Sequence, residues 1–474
     1  MNRSRRYQTM LLALLILGIA LRVRQYAACP SYWYDEAYLL ANVFHKSFRE
    51  LLGPLTDNQA APPLFLWTLR ALYQIAGGGE WGMRLPALAA GVAGLFVMVP
   101  LGRRVAGRRG ALWAVAFYAL GHHAAAHAGE VKPYTLDFLM TELILLAALR
   151  RARVALCVLA AVAPWASYPS VFVLGAASLA LLVRTLRRRE RSLAILWMVM
   201  TGLFVFSSLI LWQTVARYQA TTALREFWTT SFVDLSSPGA TAAWVGRCLV
   251  EIGNYGTREM GLPLLVLALV GVASLRRRQP SRVVLLVGPL VLALIASALR
   301  RYPLGGRLLF FLVPCVWLLA ARGVGVLIRR LSTRLAWTGW VLPAALLVPA
   351  ALWAGRLLVV VTPRCQFREA FAYVERQRAP GDVLWVSHPQ VYEVYHGRAP
   401  DLNAYSPPEM VERAARTGRL WMVCAVAGSH ERLTTPETVA RVRAAPCEVL
   451  IRRRFRGLEV NLYKPLAGSC SVDR

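Results

Sequence analysis

"MLLALLILGIALRVRQYAACPSYWYDEAYLL", residues 10–40, holds the choice on which the fold turns. Its apolar core, Met10–Leu21, has the length of a signal-peptide h-region, and Ala27, Ala28 and Cys29 supply small residues after it. Arg22 and Arg24, however, occupy the place of a signal's neutral c-region. Hydrophobicity also continues downstream, so losing this span would gain the chain nothing. The segment therefore reads as a retained first membrane helix. Asp35 and Glu36 follow just beyond its outer end, among Tyr32, Trp33, Tyr34 and Tyr38.

The rest of the chain has the same character. Of its 474 residues 57% are hydrophobic and only 17% charged, against roughly 25% charged in soluble proteins. Apolar runs lie at 10–28, 85–102, 110–128, 134–149, 154–167, 169–184, 192–213, 262–275, 282–299, 306–328 and 336–361. Their lengths are near the roughly 20 residues of a spanning helix, which predicts a polytopic α-helical membrane protein with about eleven transmembrane helices. With the N-terminus cytoplasmic, the inner loops become "GRRVAGRRG", "LRRARV", "RTLRRRERS", "LRRRQPSR" and "ARGVGVLIRRLSTR". All are arginine-rich, as the positive-inside rule requires, and a one-span error would flip every later loop. These loops account for much of the net charge of +30. No basic stripe interleaved with aromatics appears outside them, which argues against a nucleic-acid partner.

The outer side of a multi-pass cell-membrane protein then receives residues 29–84, the "GEVKPY" turn, residues 214–261, the "LRRYPLGG" turn and everything after about 362. Within 29–84, "EAYLLANVFHKSFRELLG" and "PPLFLWTLRALYQIAGG" carry apolar residues at helical spacing and read as interfacial helices. After Val361 the apolar runs shorten. "DVLWVSHP", "RLWMVCAVAG" and "EVLIRRRF…LEVNLYKP" read as strands, and "FREAFAYVERQRAPGD" and "SPPEMVERAARTG" as helices. The organisation is thus a transmembrane catalytic domain, 1–361, followed by a small extracytoplasmic α/β domain, 362–474. Cys365, Cys424, Cys447 and Cys470 fall in that outer domain, where they either form disulfides in one of three pairings or stay reduced. His123 and His127 stand four apart, which suits a metal. Without a neighbouring carboxylate in the reading, packing or a proton-bearing face is preferred for them.

Four outer features join polar groups to the ends of spans: "WYDEAYLL", "NQAAPPLFLW", "GEVKPYTLDFL" and "RYPLGGRLLFFLVP". A charge at the bilayer edge is a functional candidate by default. Carboxylates at Asp35, Glu36 and Glu130 and cations at Lys132 and Arg307 converge if the spans bundle, with Arg300 and Arg301 near. Cations at that depth suit a phosphate carried on a lipid.

With these motifs in this order, the membrane part resembles the GT-C glycosyltransferases, in particular the bacterial branch related to protein O-mannosyltransferases and lipid A aminoarabinose transferases. The markers are Asp35-Glu36, "PPL" at Pro62–Leu64, "RLPALAAGVAGL" from Arg84, "GEVKPYTL" from Gly129 and "YPLGGRLLFFLVP" from Tyr302. "GEVKPY" looks like the family's Glu-x-Arg-Pro-Tyr motif, with Lys132 in place of Arg. The resemblance implies transfer of a sugar, with inversion, from a polyprenyl-phosphate donor to a hydroxyl of a glycan, lipid or protein acceptor at the outer face, with Asp35 as general base. No cofactor is expected, and the transfer is metal-independent or weakly metal-assisted. Membrane lipids are the remaining partners.

Physical chemistry supports that economy. Glycoside hydrolysis uses two carboxylates because one must protonate a poor leaving group. A lipid phosphate leaves readily and needs cations instead, so one base plus Lys132 or Arg307 suffices. Glu130, Tyr134, Tyr302 and Arg84 complete the substrate-binding candidates. If residues 34–39 are helical, Asp35 and Glu36 point about 100° apart, so Glu36 orients substrate or packs.

Each feature also has a plainer reading. Asp35-Glu36 suits a helix N-terminus, Lys132 and Arg307 suit interface anchors, and "PPL" suits a helix start. "LREFWTTSFVDLSSP", 224–238, is either an acceptor-side lid or an interfacial belt. One departure stands out: aminoarabinose transferases carry Glu-Lys where this chain has Ala60-Ala61, with Asp57, Asn58 and Gln59 as the nearest polar substitutes. The rival functions are a transporter or flippase of a lipid-linked or anionic substrate, and a non-catalytic assembly protein. Ionisable groups at span ends, rather than near the midplane, favour surface chemistry over transport.

Overall fold

The computed structural model describes residues 3–257, 260–331, 341, 344–361, 363–425 and 436–466. The chain divides into two compact units, one of Met1–Ala28, Ser47–Ile75 and Trp81–Val360, the other of Cys29–Lys46, Ala76–Glu80 and Val361–Arg474. The sequence alone attaches all of 29–84 to the spans. In the structure the first helix of that segment, Tyr34–His45, belongs with the C-terminal unit because Ala37 lies in a core with Phe367, Phe371, Val391 and Tyr392.

The first unit is helical. Among the described residues six helices are long and apolar enough to cross a membrane: Ser4–Ala27, Glu80–Leu120, Ser170–Arg188, Arg191–Gln219, Pro280–Ala298 and Gly306–Arg330. Shorter apolar helices are Arg153–Ala166, Gly261–Arg276 and Val348–Val359. Glu80–Leu120 carries one expected span and most of the next, meeting at Gly107 (φ 77°, ψ 179°) within "GRRVAGRRG". The expected span 110–128 stops early, at Leu120, and a short helix, His122–His127, follows Gly121. Tyr134–Arg150 is helical but contains Asp137 and Glu142. The segment 306–328 starts as a 3₁₀ helix, Gly306–Leu312, and becomes α-helical at Val313. The segment 214–261 includes a helix, Pro238–Thr257, that the sequence reading did not separate. Of the expected span 336–361, residues 336–340 and 342–343 lie outside the described residues, and Val348–Val359 is helical.

Glycine sets one close contact in this unit. A methyl group on Gly271 would lie 2.1 Å from the Leu319 carbonyl oxygen, and one on Gly323 1.9 Å from that of Leu267. Without side chains there, the backbones of Gly261–Arg276 and Val313–Leu331 approach closely, as small residues permit in helical bundles. The first helix is tied in by the arginines that argue against signal cleavage. Arg22, fully buried, donates to the carbonyls of Gly18 (2.8 Å) and Tyr118 (3.0 Å) and lies 4.5 Å over the Tyr118 ring. Arg24 donates at 3.2 Å to the carbonyls of Leu358 and Val359. It thereby satisfies the carbonyl end of the helix Val348–Val359, where a cation is favoured.

The second unit contains a five-stranded mixed sheet. Its strands are β1 (Val383–Val386), β2 (Leu402–Asn403), β3 (Leu420–Ala425), β4 (Cys447–Phe455) and β5 (Leu458–Pro465), in the order β2-β1-β3-β5-β4. β1 runs parallel to β2 and β3, whereas β5 is antiparallel to β3 and β4. Alternation along the strands separates two cores. Leu384, Val386, Trp421 and Val423 face one, with Phe367 and Phe371; Trp385, Leu420 and Met422 face the other, with Val411 and Val442. The helices Phe367–Gln377 and Pro408–Thr417 fall where the sequence places helices. Pro389–His396, Pro436–Ala444 and the short β2 are additions.

Cys365, Cys424 and Cys447 are free thiols, and Cys470 lies outside the described residues. Burial pushes the Cys424 thiol up to about 12 and raises Cys365 and Cys447 as well. Thiols so placed are poor nucleophiles.

Candidate active site

In the second unit, Asp35 and Glu36 occupy the first turn of Tyr34–His45, and both are buried. Glu36 Oε2 accepts the Trp33 backbone N–H at 3.3 Å. That bond satisfies a donor the helix leaves without a partner, and the carboxylate sits where the helix dipole favours it. Glu36 therefore has a structural task, while Asp35 is the neighbour turned elsewhere on the helix. Trp33, Tyr34 and Tyr38 beside the pair belong to one aromatic cluster with His388. Trp33 meets Tyr34 edge-on at 4.9 Å, the Tyr34 and His388 rings are 5.1 Å apart, and Tyr38 stacks on His388 at 6.1 Å. Arg364 lies 4.2 Å over Trp33. His388 just follows β1, and its Nδ1 is 2.9 Å from Ser387 Oγ. Sequence reasoning passed over His388, because "DVLWVSHP" signals only a strand and its end.

In the first unit, the "GEVKPY" turn is tight, with the Lys132 N–H donating to the Glu130 carbonyl at 2.8 Å. Lys132, buried, donates to Gln59 Oε1 at 2.8 Å. Gln59 follows Asp57 (φ 56°) and Asn58 (φ 53°), two left-handed residues that turn the chain before "PP". The same loop is held by Gln219 Oε1, which accepts the Ala61 N–H at 3.1 Å, and by the Tyr168 hydroxyl, which donates to the Ala61 carbonyl at 3.0 Å. Gln59, among the polar residues near Ala60-Ala61, is joined to Lys132.

Glu130 Oε2 lies 2.8 Å from His127 Nδ1, and His127 Nε2 lies 3.3 Å from the Tyr255 hydroxyl. This corrects the reading that the "GHHAAAH" histidines lack a carboxylate nearby: Glu130, three residues on, is that partner. Among the described residues no group of three or more His, Cys, Asp or Glu side chains is arranged to hold a metal. Tyr255 carries no sequence signal, since its partner is 128 residues away.

Arg307 lies 5.9 Å from the Tyr134 ring and 5.8 Å from the Trp228 ring, so two aromatic faces flank its guanidinium. The Leu304 N–H donates to the Ser231 carbonyl at 2.7 Å. A methyl group on Gly305 would lie 2.5 Å from Ser231 Oγ. The part of 224–238 around Trp228 and Ser231 therefore packs on the Arg307 turn. Tyr302 donates to the Leu308 carbonyl at 3.1 Å and packs on Phe172 and Phe311, which gives it a structural role in that turn. Arg84 is fully buried in Glu80–Leu120, one turn before Ala87, whose carbonyl accepts the Thr135 hydroxyl at 3.0 Å. "RLPALA" and "KPYT" are thereby neighbours.

Residues 60–212 match the family model for dolichyl-phosphate-mannose-protein mannosyltransferases. This stretch contains Arg84, Glu130, Lys132 and Tyr134. The fold is GT-C-like. It is shared with ArnT from Cupriavidus metallidurans bound to undecaprenyl phosphate, at TM-score 0.55 and 13% identity, over 98% of this chain and 99% of that one. An Archaeoglobus fulgidus oligosaccharyltransferase in complex with Zn and sulfate aligns at TM-score 0.54 and 12% identity, over 87% of this chain and 67% of that one. Archaeal oligosaccharyltransferase AglB from Archaeoglobus fulgidus, with an inhibitory peptide and a dolichol-phosphate, aligns at 0.53 and 10%, over 89% and 69%. Among curated protein sequences none matches. The chain resembles the GT-C membrane glycosyltransferases in sequence over 60–212 and in fold over most of its length.

Proposed function

We propose that the protein transfers a sugar from a polyprenyl-phosphate donor to an acceptor hydroxyl at the outer face of the cytoplasmic membrane, with inversion. The observation that carries this reading is the buried Lys132, which lies inside the segment that matches the mannosyltransferase family and donates to Gln59 just before that segment. A buried ammonium on a membrane-bundle turn suits a lipid-borne phosphate, and Arg307 is the second cation for it. Asp35 accepts the proton of the attacking hydroxyl, and the departing lipid phosphate needs no acid. The acceptor is a glycan, lipid or protein. About eleven spans, an N-terminus inside and the sheet-containing unit outside complete the topology.

The test uses purified protein in sealed proteoliposomes with labelled undecaprenyl-phosphate mannose, glucose or aminoarabinose and a cell-envelope extract as the source of acceptor hydroxyls. Release of free undecaprenyl phosphate with transfer of label is expected; movement of intact donor without release would support the transporter instead. Replacing Lys132 or Arg307 by Ala should weaken donor binding by about 1.5–3 kcal/mol each, the worth of a charge-assisted hydrogen bond, with folded protein still recovered. Unchanged binding in both variants would make them interface anchors. For topology, Tyr405 is 65% exposed, so Tyr405→Cys should add labelling by a membrane-impermeant thiol reagent in intact cells. Added labelling only after permeabilisation would invert the arrangement.

A further inference from the structure

We infer that His127 is a positioning residue which, through the chain Tyr255–His127–Glu130, fixes the Glu130 carboxylate as the acceptor of hydroxyl groups on the transferred sugar. This rests on the glycosyltransferase reading and adds to it the division of the donor between two neighbouring residues. Glu130 Oε2 and His127 Nδ1 are 2.8 Å apart, and both side chains are buried. Beside a carboxylate, Nδ1 carries the proton and donates it, which leaves Nε2 to accept from the Tyr255 hydroxyl at 3.3 Å. The imidazole is enclosed by the rings of Tyr134 at 4.9 Å and Phe310 at 5.1 Å, and Tyr255 stacks on His123 at 3.7 Å. Its orientation is therefore set by bonds at both nitrogens and by packing on its faces.

The sign of the charge decides what Glu130 can take. An ionised carboxylate only accepts hydrogen bonds and repels phosphate, and its two oxygens offer about four acceptor sites. Sugar hydroxyls are the donors in a lipid-phosphate sugar. Lys132, two residues on and joined to Glu130 through the turn's backbone bond at 2.8 Å, has the opposite preference. The turn thus presents an acceptor for the sugar and a cation for the phosphate.

The two parts separate experimentally, because undecaprenyl phosphate without a sugar engages only the cation. Binding to the full-length protein in nanodiscs is compared for undecaprenyl phosphate and for whichever of its mannosyl, glucosyl and aminoarabinosyl esters the wild type binds most tightly. His127→Phe should weaken the sugar ester about tenfold or more, as loss of a bond to a charged group does, and leave undecaprenyl phosphate within about twofold. His127→Asn, whose amide still reaches Glu130, should recover most of the loss, and Tyr255→Phe should give a smaller one. If His127→Phe does not fold, the Asn and Tyr255 variants decide by the same comparison. Equal loss of both ligands, or wild-type affinity for the ester in every variant, overturns the inference alone. A wild type that binds neither lipid overturns the glycosyltransferase reading beneath it.

Discussion

Asp35→Asn is expected to lower single-turnover sugar transfer by about 10²–10⁴-fold, the range for removing a general base. The amide keeps the shape of the side chain and loses only the ability to take a proton. Donor binding should survive, since the phosphate contacts are assigned to Lys132 and Arg307. The neighbouring carboxylate supplies the control. Glu36 accepts the Trp33 N–H at the start of its helix, so Glu36→Gln should cost about 0.5–2 kcal/mol of stability, as a weakened N-terminal cap does, and leave transfer close to wild type. The two variants therefore separate chemistry from capping. Wild-type transfer in Asp35→Asn would remove that residue from the mechanism. A folded but inactive Glu36→Gln beside it would move the base to Glu36.

The same two residues show how far the sequence alone reaches. Their helix was legible from its apolar spacing, and their different directions from the about 100° turn between consecutive helical residues. What they pack against was not, because Tyr34 and Tyr38 meet His388 some 350 positions away and a ring carries no record of its partner. The assignment of Tyr34–His45 to the C-terminal unit was hidden for the same reason. Hydrophobicity marks a segment as buried without saying where. The "GEVKPY" turn lay between the two cases. Its charges were legible as candidates, and the His127 partner was within three residues, yet Gln59 and Tyr255 reach it only through the folded bundle.

Glu80 is the residue with the largest expected structural effect, and nothing in "GGGEWGM" announces it. It lies in the second unit with all its partners. Its Oε1 accepts the Tyr32 N–H at 3.1 Å and the Tyr395 hydroxyl, and its Oε2 pairs with Arg368 and with the Cys29 thiol at 3.4 Å. Arg368 in turn donates to the Cys29 carbonyl at 3.2 Å. One carboxylate thus holds the strand of chain leading to Asp35 against the helices Phe367–Gln377 and Pro389–His396. Burial alone would lower the Arg368 pKa, but Glu80 and Glu369 outweigh it and hold it above the ordinary value. Glu80→Ala leaves several of these donors without their acceptor, at a cost of about 3 kcal/mol, moderated because Arg368 remains half-exposed. Glu80→Gln keeps one acceptor oxygen and should lose less. Denaturant unfolding in detergent and proteolysis of the segment after Val361 provide the measurement, with earlier unfolding and faster cleavage expected in the order Ala, Gln, wild type. Transfer should fall in the same order, because the Asp35 helix loses its anchor. An Ala variant as stable and as protease-resistant as the wild type would show that the hydrophobic core around Ala37 and Phe371 holds this segment without the carboxylate.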